Sequence, residues 1–139
     1  MIFRQANKND FHALCDLQRT YKQAIGESAP TMCDFQSLKT AIEEDKIKYF
    51  VCEHEDNIIA MCSISKTFST FNYQPSGIFE DFFIVGEYRH KGIAKKLVRF
   101  AYEQSNVATL IVGCADCDIE LYKALGFKNV IGNMLSYAN

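Results

Sequence analysis

The sequence predicts an α/β fold in which a mixed sheet is covered by helices on both faces. Three observations predict it. Apolar residues recur at three- and four-residue steps in some segments and in β-type runs in others, and the two kinds alternate along the chain. Residues 78–85 are apolar on both sides of the pleat, with Ile78, Phe82 and Ile84 on one and Phe79, Phe83 and Val85 on the other, as in a central strand. The 139 residues carry no linker, repeat or low-complexity stretch, so residues 1–139 are expected to form one domain.

Taken in order, residues 2–6 are a short strand candidate. Asn7 or Asn9 can cap a helix whose inner face is Phe11, Leu14, Leu17 and Tyr21, broken between 26 and 30 by glycine and proline. A second helix from about Asp34 turns Phe35, Leu38 and Ile42 inward. Strands are expected over 49–53 and 58–65, joined at Glu55-Asp56-Asn57, then a polar-aromatic loop over 66–77, then the strand over 78–85. A helix over 92–105 packs through Ile93, Leu97 and Ala101. A buried strand over 109–114, a short helix over 118–125 stopped by Gly126, and one or two strands over 130–137 complete the list.

Fifteen Lys and Arg against seventeen Asp and Glu leave a net charge of −2, which offers no general attraction for nucleic acid or a membrane surface. No apolar run approaches a membrane span and no export signal opens the chain, so a cytoplasmic location is expected. The six cysteines are then expected to be reduced, buried, small hydrophobes. Cys114 and Cys117 lack a second ligand pair at the spacing a zinc site needs, and no metal is expected.

Chemistry concentrates between Ile78 and Ala94. A buried strand runs into a basic turn and a helix start where Gly92 and Ala94 are small. The first turn of a helix has unpaired N–H groups and the positive end of the dipole, so small residues there make an anion cradle. Arg89, Lys91, Lys95, Lys96 and Arg99 lie within eleven positions with no acid among them. Cations at a helix N-terminus oppose its dipole, and their placement makes sense if an anion binds. Neither a Walker loop nor a dinucleotide fingerprint is present.

Arg89-x-x-Gly92-x-Ala94 after a strand ending in Phe83-Ile84-Val85 resembles the acetyl-CoA-binding motif of the GCN5-related N-acetyltransferase (GNAT) family. Ile119-Glu120-Leu121-Tyr122-Lys123-Ala124-Leu125-Gly126-Phe127 is similar to that family's later helix, and the order of elements agrees over essentially the whole chain. The resemblance implies a GNAT-type, mostly antiparallel sheet and direct acetyl transfer from acetyl-CoA to a primary amine. It implies that pantetheine pairs with the main chain of Phe82, Phe83 and Ile84, and that the pyrophosphate sits on N–H groups from His90 through Lys91, Gly92, Ile93 and Ala94 to Lys95, with charge from Arg89 and Lys91. His90 stands where the family often has Gly, and Ala115 where an Asn commonly precedes the Tyr by seven residues. Family members often form homodimers, which the resemblance admits here.

An alkyl ammonium of pKa near 10.4 is only about one part in 2,500 neutral at pH 7, so a base is useful. Glu80 is the candidate. Alternation sends Asp81 to the opposite face, and pattern does not say which face is the cleft. Tyr122 fits a core position by spacing; the resemblance implies instead that it protonates the departing thiolate. Phe68-Ser69-Thr70-Phe71 and Glu80-Asp81-Phe82-Phe83 look like the polyamine and diamine members of the family, which makes Asp81 and Phe71 candidate substrate-binding residues. Polyamines, aminoglycosides, amino-acid derivatives and protein amines all fit as acceptors, as does a CoA-binding module without turnover.

Overall fold

The computed structural model describes residues 1–137. In chain order its elements are β1 (Ile2–Gln5), α1 (Phe11–Ala24), α2 (Met32–Glu43), β2 (Ile47–His54), β3 (Asn57–Ser69), β4 (Gln74–Ile84), α3 (Ile93–Ser105), β5 (Thr109–Val112) and α4 (Ile119–Leu125). The helix starts are written in short polar side chains. Asn7 and Asp10 form a capping box over a 3₁₀ turn at Lys8–Asp10 that leads into α1. Thr31 and Asp34 form another at α2, so Asp34 lies within the first turn and the helix begins at Met32.

One sheet of order β1-β2-β3-β4-β5 is antiparallel except for the β4–β5 pair, which is parallel because α3 carries the chain back across the sheet. Alternation along the strands builds two cores. Phe50, Cys52, Cys62, Ile64 and Phe79 meet Ile93, Leu97 and Ala101 of α3, with Tyr122 and Leu125 of α4 at the margin. Tyr49, Val51, Met61 and Phe83 meet Leu14 and Leu17 of α1, with Leu38 and Ile42 of α2 beside them. Helices therefore cover both faces of a mostly antiparallel sheet, as expected. Among the described residues no helix is long and apolar enough to cross a membrane.

Four expectations are corrected. The loop placed at 66–77 is mostly strand: β3 and β4 pair as far as Ser69 and Gln74, leaving a tip of residues 70–73. Both faces of this hairpin end are largely solvated, so no apolar alternation marks it. The final strands placed at 130–137 do not form; Gly132 at φ +119° interrupts the run, and Val130, Ile131, Met134, Leu135 and Tyr137 are exposed. Of the cysteines, Cys15, Cys52 and Cys62 are buried, but Cys33, Cys114 and Cys117 are exposed on the first turn of α2 and in the segment after β5. Lastly, β4 is bulged, so its two faces do not follow simple alternation.

The bulge shows in the register. Met61 faces Phe83, yet Ser63 faces Glu80, so two residues of β4 stand against one of β3. Asp81 takes φ +54° there. Phe79 and Phe82 consequently share the α3 face, their ring centroids 5.5 Å apart, while Phe83 packs toward α1. Upstream, β4 is squeezed between two strands at Gly77. A Cβ there would lie 2.8 Å from Ile64 Cγ2 and 3.1 Å from Leu110 Cδ1. Gly77→Ala is therefore expected to destabilise the fold by about 1–3 kcal/mol, measured by urea unfolding.

Candidate active site

The sheet opens beside the bulge. β5 pairs with β4 only from Ser76↔Thr109 to Phe79↔Val112, so Glu80 to Ile84 have no strand on that side. Val85 N–H donates to the Ile59 carbonyl at 2.9 Å. A trans peptide turns its C=O away from its N–H, so the Ile84 carbonyl faces the open side. Alternation puts the main-chain groups of Ile84 and the carbonyl of Phe82 on this edge, whereas those of Phe83 meet Met61. The Arg89 Nε–H donates to the Ile84 carbonyl at 2.9 Å, with the guanidinium 5.5 Å from the Phe83 ring centroid.

The chain then turns sharply into α3. His90 and Gly92 both have left-handed backbones, φ +61° and +79°. No side chain caps α3 and no acidic residue lies in its first turn, which leaves its leading N–H groups for another acceptor. Ile93 anchors the turn, buried in the core, while Gly92 faces open space: a Cβ added there would meet nothing within 4 Å. Lys91 Nζ lies 5.5 Å from the Tyr88 ring centroid. Among the described residues, Arg99 is the one of the five clustered cations that pairs with a carboxylate, Glu103. Uncapped N–H groups and basic side chains thus stand together beside the open edge.

On the α1 side the bulge brings Glu80 and Asp81 to the same face, against the alternation expected of them. Glu80 stands opposite Ser63, which in turn stands opposite Tyr49. The Tyr49 hydroxyl donates to Asp81 Oδ2 at 2.6 Å and accepts from Gln18 Nε2 at 3.0 Å, with Ser63 Oγ 3.4 Å from the same carboxylate oxygen. Glu80 is exposed and Asp81 partly so. Burial, then the charge of Asp81, pushes the Tyr49 phenol well above its ordinary range. Tyr21, half-buried on α1, is raised by burial and by the nearby Asp81 and Glu80.

Tyr122 lies on α4 at the margin of the α3-side core. Its ring packs edge-on to Phe127 with centroids 5.8 Å apart. Burial raises its pKa first, with Tyr21, Asp118 and Cys114 adding to the rise. Tyr21 thus feels the charges of Asp81 and Glu80, and Tyr122 feels Tyr21. Phe71 is not brought to them: it is wholly exposed at the hairpin tip, and the six residue-to-residue steps of strand from Gln74 to Glu80 span about 20 Å. Sequence reasoning missed Tyr21, Tyr49 and Gln18. Each sits among core residues at ordinary spacing, and the hydroxyl on two otherwise apolar positions was the available signal.

A profile described as an acetyltransferase (GNAT) domain matches residues 45–129. No curated protein sequence matches the chain. Among solved structures, a probable acetyltransferase superposes with a TM-score of 0.85 at 17% identity, over 100% of this chain and 99% of its own. A predicted acetyltransferase from Clostridium acetobutylicum, solved with acetyl-CoA, gives 0.75 at 18% identity, over 98% of this chain and 95% of its own. An aminoglycoside acetyltransferase from an uncultured soil metagenomic sample, solved with sisomicin, gives 0.82 at 14% identity, over 99% and 95%.

Proposed function

Because the chain belongs to the GNAT acetyltransferase family and takes its acetyl group from acetyl-CoA, we propose that the acceptor is a primary amine of a small polycation, of polyamine or aminoglycoside type. The observation that carries this reading is the pair Glu80 and Asp81. The bulge turns both carboxylates to one face beside the open edge, and neither meets a Lys or Arg among the described residues. Two unneutralised carboxylates suit an acceptor that brings its own positive charges.

The coenzyme's requirements fit the residues present. The uncapped first turn of α3 offers N–H donors to the diphosphate from Gly92, Ile93, Ala94 and Lys95, with His90 and Lys91 in the turn before it. The free edge of β4 offers the Phe82 carbonyl and the Ile84 N–H to an extended amide-bearing arm, the Ile84 carbonyl being held by Arg89, and Phe83 supports that edge from within the sheet. Bound there, acetyl-CoA supplies an activated thioester carbonyl. Glu80 accepts the proton that the ammonium must lose, directly or through water, and Asp81 holds the ammonium. Tyr122 gives its hydroxyl proton to the departing sulfur, and burial keeps that hydroxyl protonated at neutral pH.

The test is acetyl-CoA consumption with spermidine, neamine, free amino acids and lysine-containing peptides. Turnover of the polycations is expected, and a preference for peptides would overturn the acceptor assignment. Glu80→Gln should lower kcat/KM by about 100-fold at pH 7. The loss should shrink above about pH 10, where the amine is already neutral. An equal loss at both pH values would remove Glu80 as the base.

A further inference from the structure

We propose that Tyr49, itself steadied by Gln18, is a positioning residue that fixes the Asp81 carboxylate as the anchor for the acceptor's ammonium group. This rests on the acceptor reading above and goes beyond it, because Tyr49 is 3% exposed and acts only through Asp81. The relay runs through the protein interior to one oxygen of Asp81. Gln18 Nε2 donates to the Tyr49 hydroxyl, and that hydroxyl donates to Asp81 Oδ2. Ser63 Oγ approaches the same oxygen, so every protein contact falls on Oδ2 and none among the described residues falls on Oδ1. One carboxylate oxygen is tied down and the other is left for a ligand.

Two further facts support a function for the hydroxyl. Tyr49 lies in an apolar cluster with Leu14, Leu17, Val51, Met61 and Phe83, where phenylalanine would pack as well. Among the described residues the polar partners of its hydroxyl are Gln18 and Asp81. Asp81 also holds a left-handed backbone at φ +54°, which non-glycine residues seldom adopt. Without the bulge its side chain would point to the α3 face. The bulge and the relay together set where this carboxylate sits.

A double-mutant cycle tests the assignment, with spermidine and neamine as acceptors. Tyr49→Phe should lower acceptor kcat/KM roughly tenfold, mainly through KM, as expected for a lost hydrogen bond to a charged group. The KM for acetyl-CoA should stay close to wild type, while the thermal midpoint should fall by a few degrees because the buried Gln18 amide loses its acceptor. In an Asp81→Asn background the same change should cost less than about twofold, since its effect runs through Asp81. Equal penalties in both backgrounds, or a rise in the acetyl-CoA KM, would make Tyr49 merely structural and overturn the proposal. Wild-type protein that binds acetyl-CoA but acetylates neither amine would overturn the anchor and leave the coenzyme cradle standing. Failure to bind acetyl-CoA would overturn the functional reading itself.

Discussion

With valine at position 92, CoA affinity is expected to fall by about 100-fold or more while the sheet and its two cores remain. Gly92 opens α3 at φ +79°, a conformation in which a β-branched residue is an outlier, and its Cβ direction looks into open space. A valine there must either hold a strained backbone or rotate the turn. Rotation re-aims the N–H groups, and retention puts two methyl groups where the diphosphate should lie. Hydrogen bonds to a charged acceptor are worth about 1.5–3 kcal/mol each, so losing one or two gives the stated loss. Gly92→Ala is the graded control, with one methyl group and a smaller loss. Calorimetric titration of CoA into each variant, with unfolding curves alongside, separates lost binding from lost fold.

Tyr122→Phe is expected to lower kcat by about 10²–10⁴-fold while CoA affinity changes only a few-fold. Its ring is held against Phe127 and the margin of the α3 core, contacts that phenylalanine keeps. What disappears is the proton for the leaving sulfur. The sign of the pH dependence follows from burial. A phenol raised above 10 remains the acid form throughout the neutral range, so kcat of the wild type should hold from pH 7 to 9 and fall only above about 10. The Phe variant should lose that basic limb. Unchanged turnover would take Tyr122 out of the reaction.

Much of this site could be read from residue order. Arg89, Gly92 and Ala94 declared a strand running through a basic turn into a helix start with small residues, and the structure has that order of elements. The acidic face could not be read so far. Period-two alternation assigns Glu80 and Asp81 to opposite sides, and a single inserted residue, marked in the sequence by no glycine, puts them on one. Tyr49 and Gln18 were hidden for a related reason. Asp81, the partner of Tyr49, comes from a strand two places across the sheet, Gln18 comes from α1, and the approach of Asp81 depends on the same bulge. The hairpin at 66–77 failed differently: strand pairing there is held by main-chain bonds between residues that are mostly solvated or, as at Ser76 and Gly77, buried without an apolar side chain, which leaves no pattern of apolar residues to detect.

The central claim is that main-chain donors where β4 runs into α3 hold a diphosphate. Comparing CoA with pantetheine, which lacks the diphosphate and nucleotide, by calorimetric titration of the wild-type protein tests it most directly. The account predicts saturable CoA binding and pantetheine binding weaker by about 100-fold or more. Equal affinity for the two, or no heat from CoA at millimolar concentration, would contradict it.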